Sequence, residues 1–133
     1  MNALDQRVRV VLVDDFPPVV QRMRRVLEAA GVDVVAVFHD GSTAIEAVAE
    51  IKPDVVVLDV SMPGTSGIDV LKSIRSSRLR CRVVMLTADP DPEIRNQCFA
   101  LGADAFLRKD KDFERVPSWI LAETPDPNAP AGA

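Results

Sequence analysis

Five short apolar runs rich in β-branched residues alternate along the chain with longer segments whose apolar residues recur at helical spacing. Short continuous apolar runs are typical of parallel strands that are covered on both faces. Strand–helix alternation places such strands in one sheet, with the connecting helices packed against it. We therefore predict an α/β fold with a doubly wound, five-stranded parallel sheet and helices on both faces. The predicted strands are residues 8–13, 32–38, 54–58, 82–86 and 105–107.

The segments between the strands carry start and stop signals of helices. Asp15 is expected to cap the first helix, and Gly31 suits its end. The fourth helix is expected to start near Pro92, and Asp89 is expected to begin that segment, because Pro90 and Pro92 follow it. Pro117 interrupts the last apolar segment, which predicts an irregular turn and then a short fifth helix from that residue.

Length and composition limit the class of protein. A chain of 133 residues, 47% of them hydrophobic, is long enough for one domain with a buried core. The net charge of -4 argues against direct nucleic-acid binding, and no apolar run is long enough to cross a membrane. Cys81 and Cys98 are expected to be buried thiols in a reducing compartment, which favours a cytoplasmic location. Residues 1–123 are predicted to form the domain, and residues 124–133, rich in Pro and Ala, a disordered tail or linker stub.

Polar residues follow four of the predicted strands. Asp14 and Asp15 follow the first strand, and Asp59 follows the third. Thr87 follows the fourth strand, and Lys109 comes soon after the fifth. A doubly wound sheet places its functional site at the carboxyl ends of its strands, so these side chains are expected to meet there. Clustered carboxylates repel and are costly to desolvate, which predicts a divalent cation, most suitably Mg²⁺ with its oxygen ligands and retained waters.

This set of groups suits the transfer of a phosphoryl group. Aspartate carboxylates can act as nucleophiles that form aspartyl phosphates, and Asp59 is favoured because it ends the most apolar strand. The charge of Lys109 and the hydroxyl of Thr87 can stabilise a phosphoryl group during transfer. Each residue taken singly is more often an ordinary turn, cap or surface residue. The prediction therefore depends on their joint placement.

Four segments together resemble a known family: residues 11–15 (VLVDD), 57–64 (VLDVSMPG), 85–88 (MLTA) and 102–109 (GADAFLRK). From about residue 7 to the fifth helix, the chain resembles the receiver domain of bacterial two-component response regulators, the chemotaxis regulator-like family. The combination is specific, whereas each segment alone would be weak. The resemblance implies a flavodoxin-like sheet with the strand order 2-1-3-4-5.

The resemblance also implies the roles of the acidic residues. Asp59 would be the catalytic nucleophile that takes phosphate from a histidine kinase or a phosphotransfer protein. Asp14, Asp15 and Asp59 would bind Mg²⁺, and the backbone carbonyl of Ser61 would be a further ligand. Such a domain would be a signalling switch that changes its binding to a downstream protein, which the sequence does not identify.

The remaining implied roles concern the response to phosphorylation. Thr87 and Lys109 would hold the phosphoryl oxygens. Phosphate on Asp59 would draw the Thr87 hydroxyl inward, and Phe106 would fill the space that this movement vacates. One departure from the family is Asp110, which stands where many members have a proline after the lysine, so a loop that depends on a cis-proline is not expected.

Two other functions compete with the signalling interpretation. A metal-dependent aspartyl phosphohydrolase usually needs a second aspartate two residues after the nucleophile, and Ser61 occupies that position. A flavin-binding module would need a loop rich in Ser, Thr and Gly after the first strand, where this chain has the acidic pair Asp14 and Asp15. We therefore predict a receiver that is not an enzyme beyond catalysing its own phosphorylation and dephosphorylation.

Overall fold

The five strands form one parallel sheet in the order β2-β1-β3-β4-β5, as predicted. The computed structural model of the chain describes residues 7–122, so the tail predicted for residues 124–133 lies outside the described residues. Each predicted strand agrees with the structure to within one residue at either end. The strands are β1 (Arg9–Val13), β2 (Asp33–Phe38), β3 (Val55–Asp59), β4 (Arg82–Thr87) and β5 (Ala105–Arg108).

Helices connect the strands, and a short 3-10 turn precedes the last of them. The prediction of an irregular turn followed by a short fifth helix is confirmed, although that helix begins one residue before Pro117. The elements are α1 (Pro17–Ala29), α2 (Gly41–Ile51), α3 (Gly67–Ser76), α4 (Pro92–Ala100), the 3-10 turn Phe113–Arg115 and α5 (Val116–Leu121).

The fourth helix begins at Pro92 as expected, but two expectations about the residues that precede helices are wrong. Phe16, not Asp15, occupies the N-cap position of α1, and no side chain caps that end. Asp91, not Asp89, caps α4, where its carboxylate accepts a hydrogen bond from the Glu93 amide. In α1 the first two residues are prolines without amide hydrogens, which lowers the need for a side-chain cap, whereas in α4 only the first residue is a proline and Asp91 caps the next amide.

Successive side chains of the central strands point to opposite faces of the sheet, so the core is divided between these two faces. Val56 and Leu58 of β3 pack with buried residues of α2, α3 and α4. Val55 and Val57 pack on the other face with α1, the 3-10 turn and α5. All of β3 is buried, as expected for a central parallel strand covered on both sides. The predicted placement of helices on both faces is therefore confirmed.

The remaining features agree with the sequence interpretation where the structure describes them. Cys81 and Cys98 are free and buried, and burial raises the pKa of both thiols. Among residues 7–122, no helix has the length and apolar character that a membrane crossing requires.

Candidate functional site

The predicted polar residues meet at the carboxyl edge of the sheet. Asp59 is the last residue of β3 and Thr87 is the last residue of β4, while Asp14 follows β1 directly. The carboxylate oxygens of Asp14, Asp15 and Asp59 lie within 4.8 Å of one another. Lys109, which directly follows β5, extends to the same cluster. The fold thus brings together residues that are up to 95 positions apart in the sequence.

The three carboxylates differ in exposure. Asp14 and Asp59 are each only 6% exposed, whereas Asp15 is exposed to solvent. One oxygen of Asp14 accepts a hydrogen bond from the Phe16 amide at 2.9 Å, and one oxygen of Asp59 accepts from the Ser61 amide at 3.3 Å. These bonds orient two of the carboxylates and leave oxygen atoms facing one another.

Lys109 partly balances this negative charge. Its ammonium lies 2.7 Å from Oδ2 of Asp14 and 3.3 Å from Oδ1 of Asp59, and its side chain is 15% exposed. Oδ2 of Asp14 is buried and, despite this close ion pair, accepts no well-aligned hydrogen bond. The Lys109 ammonium therefore pairs with two carboxylates, and the buried Oδ2 of Asp14 can accept a further bond.

The charges and the burial of the cluster shift the pKa values of Asp59 and Lys109. Burial and the neighbouring Asp14 carboxylate raise the pKa of Asp59 to about 6, although Lys109 opposes the shift. Burial disfavours the charge of Lys109, but the Asp14 and Asp59 carboxylates outweigh it and raise the pKa of Lys109. At neutral pH Asp59 is thus mostly ionised, while its charge remains costly.

A divalent cation fits this donor set. Two buried carboxylates, one exposed carboxylate and an oxygen without an aligned hydrogen bond are hard oxygen donors close together. Mg²⁺ binds through one or two carboxylates and keeps several waters, so it does not require a closed protein cage. The exposed side of the cluster, at Asp15, leaves room for those waters.

Thr87 is buried and engaged with its own loop. Its hydroxyl donates to the Asp89 carbonyl at 2.9 Å and accepts from the Asp89 amide at 3.0 Å. The hydroxyl therefore holds the turn after β4. Phe106 is half-buried on β5 and packs against the core face that contains α4.

An open cleft of about 510 Å³ borders the acidic cluster. Asp59, Ser61, Thr87 and Lys109 line it, so four of the residues predicted for the site share one cavity. Phe16 forms an apolar wall of the same cleft and is 56% exposed. The cleft gives a solvent route to the Asp59 carboxylate.

Sequence reasoning missed two residues of this region. The sequence analysis assigned no role to Phe16, although an apolar residue directly after the acid pair could have marked it as a wall of the site. Gly67 packs so closely on the Asp59 carbonyl that an added Cβ would overlap it. No local signal distinguishes Gly67 from any glycine at a helix start, because the requirement arises from a tertiary approach.

Comparisons with known proteins agree with this geometry. The sequence profile of the response regulator receiver domain matches residues 10–120. The transcriptional regulatory protein NarL of Mycobacterium tuberculosis is 36% identical over 121 residues, which are 90% of this chain and 56% of NarL. The DNA-binding response regulator MtrA of Mycolicibacterium smegmatis is 40% identical over 103 residues, 77% of this chain and 44% of MtrA.

A solved structure matches at the level of the whole domain. The signal receiver domain of NarL from Mycobacterium tuberculosis superimposes with a TM-score of 0.82 and 36% identity, covering 87% of this chain and 94% of that domain. This chain spans about half the length of the curated relatives named above, which are whole regulators. The profile, the relatives and the fold agree that the chain belongs to the response regulator receiver family, whose members are phosphorylated on an aspartate in two-component signalling.

Proposed function

We propose that Asp59 is the phosphoryl acceptor of this receiver and that Asp14 and Asp15 complete its metal site. One observation carries the proposal: the carboxylate oxygens of these residues lie within 4.8 Å of one another, and the Lys109 ammonium lies 3.3 Å from Asp59. Asp59 alone among the three is both buried and a wall of the cleft through which a phosphoryl donor would approach. It is therefore the carboxylate best placed to act as nucleophile.

The proposed chemistry assigns a task to each charged group. An Asp59 oxygen attacks the phosphorus of the donor, and the bond from phosphorus to the donor's leaving group breaks. When bound, Mg²⁺ supplies positive charge to the phosphoryl oxygens. The Asp14 and Asp15 carboxylates would hold it, together with Asp59 and the carbonyl of Ser61. Lys109 would then shift from the carboxylates to the transferred group.

The proposed switch involves the two residues next to the cleft. The Thr87 hydroxyl is committed to the Asp89 backbone, so it would have to leave that turn to reach a phosphoryl oxygen. Half-buried Phe106 lies on the neighbouring strand, where it could follow the change. Phosphorylation shifts such an equilibrium only by the amount that it stabilises one arrangement over the other. The affected surface would be the β4–α4 turn and β5.

The partners and the location are proposed from the family and the charge of the chain. A histidine kinase or a phosphotransfer protein would supply the phosphoryl group, and the domain would work in the cytoplasm. We propose that this domain does not itself bind nucleic acid or a membrane, as its net charge of -4 suggests. Its catalytic activity would be limited to its own phosphorylation and dephosphorylation.

Intact-protein mass spectrometry after incubation with acetyl phosphate and Mg²⁺ tests the proposal. We expect the wild type to gain one phosphoryl group, and the gain to disappear in Asp59→Asn and in the presence of EDTA. Asp33→Asn is a matched control, because Asp33 is an exposed carboxyl at the start of β2, at the opposite edge of the sheet. A full gain in Asp59→Asn would assign the acceptor to another residue.

A further inference from the structure

The turn after β5 lacks the proline that many receivers carry next to their lysine. Lys109 is followed by Asp110, and no cis peptide bond occurs within residues 7–122. The ammonium of Lys109 nevertheless reaches both Asp14 and Asp59. The hydrogen bonds within the turn indicate what sets the direction in which Lys109 leaves the sheet.

Asp112 forms two hydrogen bonds with Arg108, the residue at which this turn begins. One carboxylate oxygen of Asp112 accepts a hydrogen bond from the Arg108 amide at 2.9 Å, and the Asp112 amide donates to the Arg108 carbonyl at 2.9 Å. Arg108 ends β5, which is the edge strand of the sheet, so its amide has no strand on that side to pair with. The Asp112 side chain, 18% exposed, takes the place of the missing strand.

The backbone at Arg108 and Lys109 is consequently hydrogen-bonded on both sides of β5. Its amide donates to the Thr87 carbonyl at 2.8 Å, which extends the pairing of β4 with β5 by one residue. The preceding residue, Arg108, is held by Asp112. With its peptide fixed toward β4 and its predecessor fixed away from it, the Lys109 backbone has a defined position, from which the side chain reaches Asp14 and Asp59.

The rest of the turn supports the same geometry. The Arg108 guanidinium donates two hydrogen bonds to the Asp110 carboxylate, at 3.0 and 2.8 Å. This bidentate pair occupies an acid that borders the cleft and would otherwise be free to attract Lys109. Beyond Asp112, the side chain of Phe113 is buried in the core face under α1 and anchors the end of the turn.

We propose that Asp112 is a positioning residue for Lys109, and that its carboxylate fixes the turn that carries the lysine to the phosphoryl group. The proposal rests on the function proposed for Lys109. Asp112 does not line the cleft beside Asp59, and its side chain bonds to Arg108 and Arg115 instead. Its effect on phosphorylation would pass through the position of Lys109 alone.

Three variants separate this role from a general effect on folding. Asp112→Ala removes the acceptor for the Arg108 amide, whereas Asp112→Asn keeps an oxygen in the same place. Arg115→Ala is the matched control, because it removes only the exposed ion pair of Asp112, in which the Arg115 side chain is 77% exposed. All three proteins are compared with the wild type by amide hydrogen exchange, Mg²⁺ titration and phosphorylation by acetyl phosphate.

We expect Asp112→Ala to raise exchange at the Arg108 and Lys109 amides by roughly tenfold, the effect of losing one hydrogen bond. Exchange in β3 should not change. The rate of phosphorylation should fall by about tenfold, while Mg²⁺ binds as tightly as before or more tightly, because a displaced ammonium no longer competes for Asp14 and Asp59. Asp112→Asn and Arg115→Ala should resemble the wild type in all three measurements.

Other outcomes would overturn the inference. Wild-type exchange at Lys109 in Asp112→Ala would show that Asp112 does not fix the turn. Faster exchange throughout the sheet with weaker Mg²⁺ binding, unrelieved by Asp112→Asn, would indicate a general structural role instead. A wild type that takes no phosphoryl group would contradict the proposed function, and the exchange rates would still decide whether Asp112 holds Lys109.

Discussion

At the scale of single residues, Asp59 combines two properties that oppose each other. The nucleophile that we propose must be ionised, yet Asp59 is buried beside the Asp14 carboxylate. Burial and that neighbour raise its pKa from 3.8 to about 6, with Lys109 limiting the shift. A bound cation, or a covalent bond to a phosphoryl group, would lower the free-energy cost of this charge in the folded protein. The cost of this charge is thus consistent with a site that binds Mg²⁺ and a phosphoryl group.

The raised pKa predicts how the stability of the metal-free protein depends on pH. Between about pH 4 and pH 6 the unfolded chain loses the Asp59 proton while the folded protein keeps it. Folding stability contributed by this proton is therefore present below that window and is lost as the pH rises through it. Asp59→Asn should be more stable than the wild type at pH 7.5 by on the order of 1–3 kcal/mol, with little difference at pH 4.

Urea denaturation in EDTA at a series of pH values measures this effect. Asp33→Asn serves again as the control for losing a surface carboxyl, and its difference from the wild type should stay small across the range. Equal stability of Asp59→Asn and the wild type at pH 7.5 would mean that the Asp59 charge is not costly in the folded protein.

At the scale of elements, the β4–α4 turn depends on one side chain. The Thr87 hydroxyl makes two hydrogen bonds to the Asp89 backbone. Because Thr87 also ends the strand next to Asp59, the same hydroxyl is available to a phosphoryl group only if the turn rearranges. This competition would couple the acceptor to the position of α4.

Thr87→Val removes the hydroxyl and keeps the shape of the side chain. We expect it to cost about 1–2 kcal/mol of stability and to abolish any change in hydrogen exchange of residues 88–91 on phosphorylation. Thr87→Ser, which retains the hydroxyl, should preserve that change. A phosphorylation-dependent change that persists in Thr87→Val would show that the hydroxyl is not the connection.

The elements also show what a sequence can and cannot predict. Strands were located to within a residue because a buried parallel strand needs a continuous apolar run, and the short α5 was located because Pro117 restricts its start. The cap of α1 was wrong, because its first two residues are prolines without amides for a cap to satisfy, and Asp89 lies in the turn before α4 because Asp91, two residues later, caps that helix. Three further features depend on tertiary neighbours that no local pattern specifies. They are the cleft wall formed by Phe16, the close approach of Gly67 to Asp59, and the hydrogen bond from the Arg108 amide to Asp112.

At the scale of the whole molecule, one sheet joins two cores. The core face with α1 and α5 includes buried Val116 and Ile120, so even the short last helix contributes to the packing beneath the site. Residues from all five strands enter the two cores, and the polar site lies where the carboxyl ends of these strands emerge. We therefore expect α5 to unfold together with the sheet rather than separately.

Neighbouring residues of α5 test this cooperativity. Ile120→Ala should destabilise the protein by roughly 2–4 kcal/mol, because the side chain is 1% exposed and its removal leaves a cavity. Leu121→Ala, at a position that is 43% exposed, should change stability by about 0.5 kcal/mol or less. Urea denaturation followed by Trp119 fluorescence and by circular dichroism should give coincident transitions for both variants. Separate transitions would mean that α5 is not part of the cooperative unit.

The most direct test of the central claim is to locate the phosphoryl group on the chain. The protein is incubated with acetyl phosphate and Mg²⁺, the acyl phosphate is reduced with borohydride, and the digested peptides are sequenced by mass spectrometry. We predict that the reduced residue is Asp59, in the peptide that contains the end of β3. Reduction at Asp14 or Asp15, with Asp59 intact, would contradict the assignment of the acceptor.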